Sequence, residues 1–392
     1  MTADTDIAII GGGPVGAALA LALRDSDLRI TVLEARTERK EYATPAERAR
    51  DPRPIALSHG SRLLLERLNA WAGLRATPIN NIHVSQRGGF GRVAMSALDV
   101  GVPALGYIVD YKELFLTLST AASAGSSDYR EGARATSLMR EGDVQRIDYT
   151  RDGAAASLTA RLVVVADGGE ITGLAPPKTI AYAQHALTAR VGTSLPHNNV
   201  AYERFTQDGP LALLPFENEM SLVWTLPSAR AEKLLDADSA TFCAALREAF
   251  GSRLGEFNSV THRACYPLNL RYATHTAPGV ITIGNAAQTL HPVAGQGFNL
   301  GLRDAWELAQ ILRGMTPQAL TNHENHEALR HYRAARRLDR SATIVVTHGL
   351  VHLFSNDFLP LHAARGAGMT LLGSIAPLRN FVARRMIFGA RG

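Results

Sequence analysis

Gly11, Gly13 and Gly16 follow the apolar run Ile7-Ala-Ile-Ile10, and Glu34 ends a second one, Ile30-Thr-Val-Leu33. Each of these residue types answers a demand of a phosphate-bearing ligand. The first glycine permits a tight turn, the second lets the backbone approach a pyrophosphate, and the third allows a helix to pack closely on a strand; the carboxylate accepts hydrogen bonds from a ribose. Residues 17–23, rich in Ala and Leu, supply the helix. Strand, turn, helix, strand and acid in that order predict a dinucleotide site. A second glycine cluster lies far downstream, where Val280-Ile-Thr-Ile283 reads as a buried strand ending at Gly284-Asn285. Beyond it Gly295-Gln296-Gly297 opens a helix whose apolar positions Leu300, Leu302, Ala305, Leu308, Ala309 and Leu312 recur near the helical period. Free N–H groups at such a helix start suit an electron-rich ligand atom, so the two clusters are read as halves of one flavin site.

Other chemistry-bearing residues admit competing readings. His291, followed by Pro292, is either an acid–base group beside the ligand or a turn histidine bonding its own backbone. Asp167 ends the apolar run Leu162-Val-Val-Val-Ala166, either as a strand-end cap or as support for the cofactor. Asn322-His-Glu-Asn-His326 lacks the His-Glu-x-x-His spacing, and no metal is expected. Cys243 and Cys265 make no disulfide framework and have no basic neighbours to activate them, which fits a reducing cytoplasm. Arg330, Arg333, Arg337 and Arg340 recur three and four apart with Arg336 beside them, and read as a solvated helix face with local acid partners.

The elements that must position these residues follow from pattern and length. A chain of 392 residues, 46% of them hydrophobic, can bury a substantial core, and its length suggests two domains or one domain with a large insertion. Its net charge of +5 permits an anionic partner, and nothing in it points to nucleic acid. Asp4 and Asp6 stand where a signal peptide would be basic, and no apolar window of about 18 residues is present to span a membrane. The expected fold is α/β: a Rossmann-like nucleotide-binding domain from residues 1–75, 98–180 and 273–335, a mainly antiparallel β-sheet substrate domain from 76–97 and 181–272, and C-terminal helices over 336–392. Within the last segment, Leu371, Leu372, Ile375, Leu378, Phe381, Val382, Met386, Ile387 and Phe388 alternate with Arg379, Arg384 and Arg385. That mixture fits either core packing or contact with a membrane interface.

Three motifs together carry a family resemblance. Gly11-x-Gly13-x-x-Gly16 with Glu34, the strand end Val163-Val-Val-Ala-Asp167-Gly168, and Gly284-Asn-Ala-Ala-Gln-Thr-Leu-His291-Pro292-x-x-Gly295-Gln-Gly297-x-Asn299-x-Gly301 resemble the aromatic-ring flavoprotein monooxygenases. Among these the chain resembles the ubiquinone-biosynthesis hydroxylases, in the 2-polyprenyl-6-methoxyphenol hydroxylase branch. The likeness spans essentially the whole chain, including Asp51-Pro-Arg53-Pro-Ile-Ala-Leu57 and Leu353-Phe-Ser-Asn-Asp357. It implies an aromatic-hydroxylase-like fold, bound FAD, NADPH or NADH as a transient electron donor, and O2 delivered through a flavin hydroperoxide to the ring of a prenylated phenol. It further implies that FAD is held by Gly11, Gly13, Gly16, Glu34, Arg53, Asp167, Gly284, Asn285, Gly295, Gln296, Gly297 and Asn299, with His291 and Pro292 beside the flavin.

The resemblance also implies a cytoplasmic enzyme in peripheral contact with the inner face of the membrane and with other ubiquinone-biosynthesis proteins. Two departures from the family pattern stand out. Asn285 replaces an Asp, keeping a hydrogen-bond acceptor without its charge, and Asp167-Gly168 runs on to Leu174 without the Arg that the family carries there. A flavin-linked dehydrogenase or prenyl reductase would share the nucleotide motifs, as would a non-catalytic FAD-stabilised scaffold.

Overall fold

A computed structural model describes residues 2–37, 54–168, 171–273, 277–289, 295–321, 327–354 and 359–389. Every residue of the strands Thr5–Ile10 and Ile30–Glu34 is buried, as befits central parallel strands covered on both faces. They lie in a seven-stranded sheet ordered Asp128–Glu131, Ile30–Glu34, Thr5–Ile10, Ala154–Val165, Val144–Arg151, Arg134–Glu141, with Val280–Thr282 also paired to Ala154–Val165. Ile7 stands opposite Ile30 on one side and Leu162 on the other, both in parallel register. Helices Pro14–Ala22, Tyr111–Ser123 and Gln296–Leu312 press Leu19, Leu114 and Leu308 into one core against this sheet.

The second sheet has eight strands, ordered Gln288–Thr289, Phe257–Tyr272, Lys178–Thr193, Glu219–Pro227, Gly209–Phe216, Val200–Thr206, Asn81–Gln86, Arg92–Ser96. All its pairings are antiparallel except that of Val200–Thr206 with Asn81–Gln86. Alternation divides its side chains between two faces. Leu187, Leu211, Leu213, Leu222 and Trp224 pack on one face against Phe242, Leu246 and Phe250 of the helix Ser239–Phe250. The strands Val200–Thr206 and Phe257–Tyr272 escape a sequence reading. The first is interrupted by Tyr202-Glu-Arg204, and the second carries Pro267 and pairs with Lys178–Thr193 through three irregularities of register; pairing with neighbouring strands, rather than local pattern, makes them strands.

At the C-terminus the apolar residues divide between a buried cluster and the surface. Met369, Ala383 and Ile387 are buried with Val93, Met95 and Phe205, and Leu372, Met386 and Phe388 pack against that cluster. Leu371, Ile375, Leu378 and Phe381 are exposed. Among the described residues, no helix is long and apolar enough to cross a membrane.

Candidate active site

The first glycine turn sits where the strand Thr5–Ile10 meets the helix Pro14–Ala22. Gly11 has φ of 99°, and a Cβ there would lie 2.6 Å from the backbone nitrogen of Asp167, so only glycine permits the two strand ends to touch. A Cβ on Gly16 would lie 1.9 Å from the Gly11 carbonyl oxygen, which is the close helix–strand approach expected of the third glycine. Gly13 differs from both: a Cβ there meets nothing within 4 Å, because the position opens onto a cavity. It caps the helix without any side-chain hydrogen bond, leaving the first-turn N–H groups to a ligand. Glu34 is buried at the end of its strand and accepts from the backbone N–H groups of Gly12 at 2.7 Å and Arg36 at 2.9 Å.

The second half reaches the same cavity from the other side. After the strand Val280–Thr282 a short 3-10 turn, Gly284–Ala286, brings up the Asn285 side chain, whose Cβ lies 3.0 Å from the position of a Cβ on Gly168. Gly295, left-handed at φ 59°, starts the helix Gln296–Leu312, again without a side-chain cap. Gln296, Gly297 and Phe298 of its first turn line the cavity, and no acid stands in that turn to compete with an anionic ligand.

The cavity, of about 1880 Å³, is therefore lined by Gly11, Gly13, Glu34, Asp167, Gly284, Asn285, Gly295, Gln296 and Gly297. Two glycine-started helices and a carboxylate converge on it, an arrangement that fits a dinucleotide. Gly16 lies behind the wall. Asn299 does too: its Oδ1 accepts from Ser58 N–H at 2.8 Å and Ser61 Oγ at 2.7 Å, while its Nδ2 donates to the carbonyls of Ala56 at 2.9 Å and Gly295 at 2.8 Å. All its bonding capacity goes to fixing the Gly295 turn against the strand Pro54–Ser58. Arg53, His291 and Pro292 lie outside the described residues, as does Asn322-His-Glu-Asn-His326.

A clamp that sequence reasoning missed holds the second half in place. Asp304, 2% exposed, accepts through Oδ2 from Gly284 N–H at 3.1 Å and Gln288 Nε2 at 3.2 Å. Its Oδ1 takes a 2.6 Å bond from Arg336 Nε, and Arg336 also reaches Asp339 at 2.8 Å. Burial opposes the Arg336 charge, but Asp304 and Asp339 outweigh it and hold the guanidinium firmly protonated. The expectation of a solvated arginine face holds for Arg330 and Arg337 and fails for Arg336, which is buried. Its one sequence signal was its offset from the three-and-four spacing of its neighbours.

Across from the glycines, the cavity is walled by the second sheet and the C-terminal helices. Ile82, Val84, Val93, Met95, Leu214 and Val223 present an apolar face, and Met369, Leu372 and Phe381 extend it toward the exposed C-terminal patch. Glu203, also on the sheet, was not anticipated either.

The FAD binding domain family matches residues 4–341 of the chain. The ubiquinone hydroxylase UbiL of Rhodospirillum rubrum is 33% identical, with 97% of this chain and 88% of that protein covered. The 3-demethoxyubiquinol 3-hydroxylase of Escherichia coli is 31% identical over 93% of this chain and 94% of its own. The crystal structure of p-nitrophenol 4-monooxygenase PnpA from Pseudomonas putida DLL-E4 superimposes with a TM-score of 0.76 at 18% identity, all of both chains covered, and so shares the fold. With Gly11, Gly13, Gly295 and Gly297 gathered round one cavity, the chain belongs to the FAD-binding flavoprotein monooxygenases, in the family of the ubiquinone hydroxylases.

Proposed function

We propose that this enzyme hydroxylates the aromatic ring of a polyprenyl phenol, of the 2-polyprenyl-6-methoxyphenol kind, in ubiquinone biosynthesis. The observation that carries the reading is the continuity of the cavity: it runs from Gly13 and Gly297, suited to a flavin dinucleotide, along an apolar sheet face to Leu372 and Phe381. Such a wall suits a phenol with an apolar tail. FAD, reduced by NADPH or NADH, supplies activated oxygen from O2 when bound. The chain's own part is to hold the pyrophosphate at Gly11 and Gly13, the ribose at Glu34, the ribityl region at Asp167 and Asn285, and the ring near Gly295, Gln296 and Gly297. In this reading residues 1–75, 98–180 and 273–335 form the FAD-binding unit and 76–97 and 181–272 the substrate unit. A strain lacking the protein should accumulate a prenylated phenol short of one ring hydroxyl, identifiable by mass spectrometry; an unchanged quinone profile contradicts the assignment.

Asn285 supports FAD by hydrogen bonding rather than by charge. Asn285→Asp should retain flavin, whereas Asn285→Leu should weaken it by about 1–3 kcal/mol, because a polar group of the cofactor loses its partner. Flavin titration measures this, and equal affinity for Asn285→Leu and the unmodified protein removes Asn285 from the site.

The tail of the substrate enters from a membrane surface. Leu371, Ile375, Leu378 and Phe381 form an exposed apolar patch at the turn between the helices Leu359–Ser374 and Ala376–Phe388, and Phe381 also lines the cavity. Arg384 and Arg385 stand beside them to meet anionic headgroups. Replacing Leu371, Ile375 and Leu378 by Ser should lower partitioning onto anionic vesicles on the order of 100-fold, at roughly 1 kcal/mol for each half-exposed side chain. The substitutions spare the buried cluster, so FAD content should not change. Flotation equal to that of the unmodified protein at low salt would rule the patch out.

A further inference from the structure

The cavity side of the eight-stranded sheet carries a carboxyl group where every neighbour is apolar. Register sets Glu203 between Val84 and Ala212, with Val93 and Val223 one strand further out, and alternation puts Ala201 and Phe205 on its face along the same strand. All of these line the cavity. Among the described residues Glu203 has neither a hydrogen bond nor an ion pair. An apolar residue would fill this position without the cost of desolvating a carboxyl group, so the acid answers to something in the cavity. Burial pushes its carboxyl up to about 7, which readies it to exchange a proton near neutral pH.

Other ionisable groups on the cavity wall are Arg36, Arg134, Arg303, Arg365 and Arg385, with the acids Glu34, Asp167 and Asp339 and the phenol of Tyr111. No charge among them contributes to the shift at Glu203, whose cause is burial. Tyr202, the neighbouring residue, also borders the cavity, but its ring packs 5.3 Å from Phe250 and 5.9 Å from His83.

Resting on the reading of this enzyme as a phenol hydroxylase, we infer that Glu203 is a catalytic residue that accepts the ring-hydroxyl proton of a phenol lying on this apolar sheet face. The phenol O–H bond breaks, the proton passes to a carboxylate oxygen of Glu203, and the electron pair left behind enriches the ring carbons ortho and para to the oxygen. Oxygen transfer then replaces a ring C–H bond by C–O. The displaced ring proton goes to water and Glu203 returns its proton to the phenolate oxygen of the product; one atom of O2 enters the ring and the other leaves as water, with NADPH or NADH supplying the two electrons and one proton taken up from solvent.

The test uses the full-length FAD-bound enzyme with a short-chain 2-prenyl-6-methoxyphenol, measuring kcat and KM from about pH 5.5 to 9. The unmodified enzyme should show kcat/KM rising through about pH 7 to a plateau. Glu203→Gln should keep its FAD and KM, lose kcat on the order of 100-fold, and give a profile flat in pH. Glu203→Asp should retain the rise at an intermediate rate. A Glu203→Gln enzyme with kcat within about twofold and an unaltered rise overturns the inference, as does one that has lost its FAD or a Glu203→Asp enzyme as slow and flat as it. If the unmodified enzyme hydroxylates no prenylated phenol, the underlying reading fails, and this inference with it; an active enzyme indifferent to Glu203→Gln sinks the inference alone.

Discussion

Gly13→Val is expected to give a folded protein without bound flavin. The position is extended backbone, φ −60° and ψ 178°, which valine adopts without strain, and its Cβ would meet no protein atom within 4 Å. The added methyl groups therefore occupy only the space in which a pyrophosphate approaches the helix N-terminus. Losing two charge-assisted backbone hydrogen bonds, at about 1.5–3 kcal/mol each, lowers FAD affinity on the order of 10²–10⁴-fold. Gly16→Val contrasts with it, because its Cβ drives into the Gly11 carbonyl and damages the turn itself. Absorbance of protein-bound flavin, read beside the thermal melt, separates the two cases. Normal FAD content in a well-folded Gly13→Val protein contradicts the site.

Arg336→Met should destabilise the protein by about 3–5 kcal/mol, because Asp304 is left buried and charged without its partner. The cost falls on the cofactor side as well, since the same carboxylate holds the Gly284 N–H and so the turn that presents Asn285. Pairing the change with Asp304→Asn removes the charge while keeping an acceptor for Gly284. The double variant is accordingly expected to lose less than the sum of the single losses in denaturant titration. An Arg336→Met protein within about 1 kcal/mol of the unmodified one shows that the pair contributes little.

The glycine positions were legible in the sequence because each answers a local geometric demand: a positive φ at Gly11, a close approach at Gly16, open space at Gly13. Strand, turn and helix around them follow from periodicity over a few residues. What escaped depends on pairing at a distance. Asp304 and Arg336 meet across two helices, and neither side chain advertises the other in its own neighbourhood. Asn299 stands within the motif yet spends its amide on Ser58, Ser61, Ala56 and Gly295, a use visible only once the strand Pro54–Ser58 lies beside the helix start. Glu203 was hidden for a similar reason. Between Tyr202 and Arg204 it reads as part of a polar stretch, and its isolation emerges only when Val84 and Ala212 become its neighbours.

The central claim is that this enzyme puts one atom of O2 into the ring of a prenylated phenol. Purified protein given isotopically labelled O2, NADPH and a short-chain 2-prenyl-6-methoxyphenol should yield product carrying one labelled oxygen for each NADPH oxidised, with both reactions dependent on the phenol. Turnover that continues without O2, a product free of label, or no phenol-dependent turnover at all would contradict it.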